Sequence, residues 1–334
     1  MPRLRTVTTR EPGWKRVRHG RGHRYLDVDG TTPLSPEDVA RVKALVIPPA
    51  WSDVWIAPYP HAHLLAVGTD EAGRRQYLYH PAWRQKRDEL KFDRVLEMAV
   101  KLPRVRKRLR TELVTEGGLQ RTAALAAAVR MVDLGCFRLG DDYYTEENGS
   151  YGLTTLERRH VTHVGEGCVY SFVGKAGVEH EITLADAQLC EVVHLMTRRR
   201  DPGARLLSVK VNRRWVALQP EDINDHIREL FGLEVTAKDF RTWHATVHVA
   251  RELGSAEPAT SKTARAKVVR AAVVGASDLL GNTPTVARSS YVDPRVIDLY
   301  ESDTTIASSL QRLAKDVDKA RDQLDRAVVR LLTD

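Results

Sequence analysis

Polar and apolar positions change rhythm along this chain. Up to about residue 90 the alternation is mostly of period two, as in strands with one buried face. Residues 63–69 and 75–79 read as two strands joined by Asp70-Glu71-Ala72-Gly73, a hairpin turn whose glycine suits positive φ. The second strand places Tyr77 and Tyr79 on one face. Within the same stretch Ser35-Pro36-Glu37-Asp38 opens a short helix, with serine as N-cap and proline at the first helical position. That helix runs toward Leu45 and stops before Pro48-Pro49.

From about Asp88 the apolar spacing turns helical. An alanine-rich amphipathic helix is expected over 119–134, stopped by Gly135, and further helices over 185–197, 220–231, 238–253 and 262–279, the last ended by Gly281. Residues 168–173 and 178–184 form a second hairpin around Gly174-Lys175-Ala176-Gly177, with Lys175 at its tip. The tail repeats apolar residues at Ile306, Leu310, Leu313, Val317, Ala320, Leu324, Ala327 and Leu331, a heptad seam that docks on its own domain or receives a partner helix. The pattern predicts an α+β protein. A small strand-rich domain occupies residues 1–90, its boundary falling near 85–92, and a mostly helical domain occupies 91–334, with a helical tail from about 304.

Composition narrows the class. The 334 residues are 42% hydrophobic and 29% charged, and no apolar run approaches the roughly 20 residues of a membrane span. The basic amino terminus lacks the apolar core of a secretory signal, so a cytoplasmic protein is expected. Cys136, Cys168 and Cys190 are odd in number and widely spaced, which argues against a disulfide framework and a thiolate zinc site. A net charge of +8 favours a polyanionic partner. The charge is concentrated in residues 3–24 and again in 84–110, where Arg104, Arg106, Lys107, Arg108 and Arg110 follow one another closely.

Two apparent motifs carry no chemistry. His244 and His248 have zinc-protease spacing, but Ala245 stands where a glutamate is needed. Gly174-Lys175 resembles a phosphate-loop ending, but Ala176 replaces the magnesium-binding hydroxyl. The informative residues lie in five separated segments: Phe137-Arg138-Leu139-Gly140 leading through Tyr144 and Asn148 to Tyr151-Gly152-Leu153-Thr154-Thr155-Leu156; Phe172-Val173-Gly174-Lys175; Lys238-Asp239-Phe240-Arg241-Thr242-Trp243; Leu280-Gly281-Asn282-Thr283-Pro284; and Ser289-Ser290-Tyr291-Val292-Asp293-Pro294.

In order and local context these segments resemble the type IB DNA topoisomerases of the poxvirus and bacterial branch, over nearly the whole chain. The resemblance implies that Arg138, Lys175, Arg241, Asn282 and Tyr291 fill the five catalytic positions. Tyr291 would be the nucleophile, Lys175 the general acid, Arg138 and Arg241 the phosphate-binding cations, and Asn282 a hydrogen-bond donor to the transition state. Such chemistry needs fixed cations where a phosphorane gathers negative charge, and guanidinium forks serve without metal or other cofactor. A phosphotyrosyl linkage conserves the bond energy, so no ATP is required. The family usually has histidine at the position of Asn282, nine residues before the nucleophile; asparagine donates a hydrogen bond but carries no charge.

The same resemblance makes the first domain a DNA-binding one that completes a clamp around duplex DNA. Arg74, Gln76, Tyr77 and Tyr79 would meet the DNA there, and Tyr144 and Lys238 complete the contact set. It implies a nucleoid-associated monomer. A tyrosine recombinase shares this chemistry, but its second arginine usually follows a histidine three residues earlier, where this chain has Lys238. A non-catalytic DNA-binding protein on the same scaffold would not require the arginine, lysine and tyrosine set.

Overall fold

The computed structural model describes residues 3–20, 22–114, 118–140, 149–200 and 203–334. The chain divides into two compact units, Met1–Phe92 and Asp93–Asp334. Among the described residues no helix is long and apolar enough to cross a membrane.

The first unit contains β1 (Trp14–His19), β2 (Gly22–Leu26), α1 (Pro36–Ala44), β3 (Ser52–Ile56), β4 (Leu64–Thr69) and β5 (Arg75–Tyr79). Its strands form one antiparallel sheet in the order β2-β1-β3-β4-β5. Strand β4 lies inside the sheet, between β3 and β5, and is almost wholly buried, which its uninterrupted Leu64-Leu65-Ala66-Val67-Gly68 run anticipates. The Ser35 hydroxyl caps α1 by accepting from the Asp38 amide. Gly73 takes the positive φ of the β4–β5 turn.

Helix α2 (Pro81–Glu112) begins seven residues before the expected onset at Asp88. Its start signal is proline at the first position after His80, whose Nδ1 accepts from the Ala82 amide at 3.2 Å. Next comes α3 (Arg121–Gly135), which differs from the expected amphipathic helix. Ten of its fifteen residues are buried, so it is a central helix covered on nearly all sides. Gly135 does not stop it; the left-handed cap is Cys136, at φ 52°. A Cβ at Gly135 would lie 2.5 Å from the Phe137 ring, so this glycine serves close packing.

A three-stranded antiparallel sheet follows, formed by β6 (Val161–Val164), β7 (Gly167–Val173) and β8 (Glu179–Leu184). After α4 (Ala187–Arg198), a two-stranded ribbon of β9 (Ser208–Val211) and β10 (Arg214–Ala217) occupies a segment that carries no clear strand signal. Its turn uses Asn212 and Arg213, both at positive φ, instead of glycine. The remaining helices are α5 (Pro220–Phe231), α6 (Ala237–Ser255), α7 (Lys262–Leu280), α8 (Pro284–Ser290), α9 (Pro294–Glu301), α10 (Ala307–Leu310) and α11 (Val317–Thr333). The tail is not one continuous seam. It breaks between α10 and α11, where Val317 is 77% exposed and Asp316 caps the new helix.

Helix α11 is fastened to its own unit by buried ion pairs. Arg106, 1% exposed, donates to both oxygens of Asp133 at 2.8 and 3.0 Å, to Asp322 at 2.7 Å and to Asp325 at 2.6 Å. Arg130 joins Asp186 at 2.8 Å and Asp318 at 2.9 Å. The Trp243 indole donates to Asp325 at 2.8 Å, and His244 lies 3.1 Å from Asp133. Arg106 therefore belongs to the core and not to the exposed basic face that its neighbours in sequence suggest. Asp133→Ala would remove the buried carboxylate that meets Arg106 through both oxygens and also Arg130 and His244, leaving Arg106 only Asp322 and Asp325, and is expected to cost about 3–5 kcal/mol in urea unfolding; a loss below about 1 kcal/mol would contradict this role.

Candidate functional site

Arg138 leaves α3 on a short extended segment fixed by backbone pairing. The Leu153 amide donates to the Arg138 carbonyl at 2.7 Å and the Thr154 amide to that of Leu139 at 2.6 Å. So close an approach requires Gly140, at φ 97°, and Gly152, since a Cβ on Gly152 would lie 2.5 Å from the Gly140 Cα. This explains why the arginine comes with a following Tyr-Gly-Leu-Thr-Thr segment. The Arg138 guanidinium donates to the Gly281 carbonyl at 2.8 Å and to the Asn282 Oδ1 at 2.7 Å.

Arg241 lies on the first turns of α6 and is 4% exposed. It donates to the carbonyls of Cys136 and, at 2.7 Å, Leu280. The left-handed Gly281, C-cap of α7, therefore follows one carbonyl that holds Arg241 and supplies another that holds Arg138. Tyr291 ends α8, with its ring centroid 5.5 Å from the Arg241 guanidinium carbon. The Thr246 hydroxyl accepts from the Asp293 amide at 3.1 Å and shares its one proton between the carbonyls of Thr242, at 2.9 Å, and Tyr291, at 3.3 Å, which steadies the segment carrying the phenol.

A cavity of about 670 Å³ opens between these parts, lined by Arg138, Arg241, Tyr151, Phe172, Lys175 and His180 among others. Lys175 is exposed in the tight turn between β7 and β8, where Ala176 and Gly177 take positive φ. No described residue lining the cavity is a carboxylate. Two donors near it, Asn282 Nδ2 and Arg241 Nε, are buried without a hydrogen-bond partner.

The electrostatics separate these arginines from the structural pair. Burial by itself lowers a guanidinium's pKa; at Arg106 the charges of Asp133 and Asp325 outweigh it and the value rises. At Arg138 burial acts together with repulsion from Arg241, and the value falls to about 10. Carbonyl-held arginines occur elsewhere, as at Arg16, which donates to the Pro48 carbonyl at 3.0 Å. Here two such groups meet on one cavity beside a tyrosine.

The structure thus brings Arg138, Arg241, Asn282 and Tyr291 together, with Lys175 on the same cavity as the arginines. Lys238 is exposed at the start of α6. Tyr144 and Asn148 lie outside the described residues. In the first unit Arg74 and Gln76 both bond Asp70, each at 2.9 Å, and the Arg74 hydrogen bond is the first cause that holds the Asp70 carboxyl down at about 2. Tyr77 is 47% exposed and stacks on Tyr79 at 6.1 Å, while Tyr79 also packs against the buried cluster of Leu64 and Val67. Sequence reading missed Thr246 and His180. Their spacing marks them as ordinary helix and strand positions, and nothing short of the fold places them at the site.

Residues 80–323 match the family model described as the catalytic core of eukaryotic DNA topoisomerase I, and residues 22–70 match that of the N-terminal domain of bacterial DNA topoisomerase IB. The chain belongs to the type IB DNA topoisomerase family. It is similar to DNA topoisomerase 1B of Acanthamoeba polyphaga mimivirus, 28% identical over 288 residues that cover 83% of this chain and 84% of that one. It is also similar to DNA topoisomerase 1B of vaccinia virus strain Copenhagen, 25% identical over 247 residues, 71% of this chain and 73% of the other. DNA topoisomerase 1 of rabbit fibroma virus is 21% identical over 310 residues, 88% and 92% of the two chains.

Because the folded pKa of Arg138, about 10, lies below that of a free guanidinium, its charge opposes folding at every pH below about 10. That penalty fades as pH rises above about 10 toward the free guanidinium's own value. At neutral pH, Arg138→Met is therefore expected to leave the Tm unchanged or raised. Inorganic phosphate at fixed ionic strength should raise the Tm of the native protein more than that of the variant. Equal phosphate shifts in both proteins would show that the cavity holds no anion through Arg138.

Proposed function

We propose that this protein relaxes supercoiled duplex DNA by opening and resealing one strand through Tyr291. The observation that supports it most is the pair of guanidiniums, Arg138 and Arg241, held by backbone carbonyls on one cavity wall beside a phenol, with no carboxylate partner among the described residues. A cation already neutralised by a carboxylate has little left for a substrate phosphate.

In the reaction the phenol oxygen attacks phosphorus, the phenolic proton passes to solvent, and the bond to the 5′ oxygen breaks. Lys175 supplies the proton that makes this oxygen a viable leaving group. Arg138 and Arg241 stabilise the non-bridging oxygens of the phosphorane, the task metal ions perform in other phosphoryl transfers, so neither metal nor other cofactor is required. The unused N–H of Asn282 adds a neutral hydrogen bond. The 3′-phosphotyrosyl linkage stores the bond energy while the free end swivels; the 5′ hydroxyl then attacks it, and the strand is resealed without ATP.

The first unit serves duplex binding, with Arg74, Gln76, Tyr77 and Tyr79 toward the groove and Tyr144 and Lys238 from the second unit. Arg74 and Gln76 would arrive oriented by Asp70, which lowers the entropy lost on contact. The match of residues 22–70 favours a bacterial origin, which would put the protein on the nucleoid in the cytoplasm; we further propose that it works there as a monomer.

Purified protein is expected to relax a lone closed plasmid in chelator-containing buffer, and denaturant should trap a covalent DNA adduct that Tyr291→Phe abolishes. An adduct persisting in that variant would place the nucleophile elsewhere, and strand exchange between marked sites would indicate a recombinase. Asn282→Ala should slow single-turnover cleavage by about tenfold, the scale of one hydrogen bond to a charged group, while Asn282→His retains it. Equal rates for native protein and Asn282→Ala would remove Asn282 from the chemistry.

A further inference from the structure

His180 has no part in the reaction just described, although it sits at its centre. It lies on β8 opposite Phe172 of β7 and lines the same cavity as Arg138, Arg241 and Lys175. Its ring occupies a slot that two glycines leave open. A Cβ on Gly174, at the foot of the Lys175 turn, would stand 2.5 Å from its Cδ2; a Cβ on Gly281, at the head of the Asn282 turn, would stand 2.6 Å from its Cε1. The ring stacks on Phe172 at 5.1 Å and 23°, and Phe172 stacks on Phe137 at 5.8 Å and 18°. Phe137 immediately precedes Arg138, so one column of rings runs from the hairpin to the arginine.

We propose that His180 is a positioning residue for strand cleavage. Its ring is the spacer that seats the Lys175 turn against the Gly281–Asn282 turn and so keeps the proton donor aligned with the phosphate-binding groups. This rests on the reading above that Lys175 and Arg138 act on the scissile phosphate. The turn is closed by its own backbone, the Gly174 amide donating to the Val178 carbonyl at 2.7 Å and the Gly177 amide to that of Gly174 at 3.1 Å, so it tilts as one piece and a ring packed between it and the Gly281–Asn282 turn sets their separation. Glycine at both flanking positions lets a ring fill the gap.

The imidazole adds a pH dependence. The charged groups facing it are Arg138 from the segment after α3 and Arg241 from α6, with Lys175 on its own hairpin; the Gly281–Asn282 turn brings none. Burial and then the two arginines hold its pKa below the ordinary value, so the ring is neutral at physiological pH. Protonation in acid would add a third cation against the two arginines and push the hairpin away.

The test is single-turnover cleavage of a duplex by the full-length protein from about pH 5 to 9, read with DNA affinity and Tm. His180→Ala should slow cleavage by about 10–100-fold at neutral pH, the effect of a misplaced catalytic group, with DNA affinity unchanged. His180→Phe keeps the stack without a titrating nitrogen, so it should recover most of the rate and lose the acid limb. Gly174→Ala should slow the native protein, yet add nothing in the His180→Ala background, where the methyl has room. Lys175→Ala serves as the control. If it cleaves normally, the reading of the whole site has failed; if it is slow while His180→Ala matches the native rate, only this inference has. Additive effects of Gly174→Ala and His180→Ala, or an unchanged acid limb in His180→Phe, would likewise overturn it.

Discussion

Two positive charges held close together, with no counter-charge among the described residues, are the constraint on which the site depends. Arg138 and Arg241 repel each other, and burial raises the cost. What holds them is the backbone. The carbonyls of Cys136, Leu280 and Gly281 take up some of the N–H groups, leave the Arg241 Nε without a partner and only partly offset the charge, so the cavity stays electropositive and preorganised for an anion. The same chain shows the alternative at Arg106, where three aspartates surround a buried guanidinium and turn it into a structural fastener. One residue type thus serves opposite ends, according to whether its partner is a dipole or a charge.

That arrangement explains why so much of the second unit converges on a few carbonyls. Helix α3 must end in a left-handed residue at Cys136 to present one of them, and α7 must end in Gly281 to present two more. Helix α6 carries Arg241 into the core and, through Thr246, also steadies the Tyr291 segment. The stability for this comes from elsewhere in the unit, from the apolar core and from the paired arginines that tie α11 down.

Much of the architecture was legible in the sequence because its signals are local. Ser35 before Pro36, Gly73 in a strand-joining turn and Gly281 after a periodic run each dictate backbone geometry through their own chemistry. The five site segments were legible through their residue types and order. What stayed hidden depends on tertiary contact. The β9–β10 ribbon turns on Asn212 and Arg213, which reach positive φ without a glycine to announce it. Gly135 looked like a helix stop but makes room for Phe137, and Arg106 looked like surface charge but is core. The apolar repeat through the tail does not count the break that exposes Val317, and no pattern distinguishes His180 from any other strand residue.

The most direct test of the charge-based account compares cleavage of an ordinary phosphodiester with that of a neutral methylphosphonate at the same position, in native protein and in Arg241→Ala. If the guanidinium acts by meeting negative charge, its removal should slow phosphodiester cleavage by about 10²–10³-fold and methylphosphonate cleavage far less. An equal penalty on both linkages would contradict the account, for Arg241 would then be holding the fold and not the phosphate.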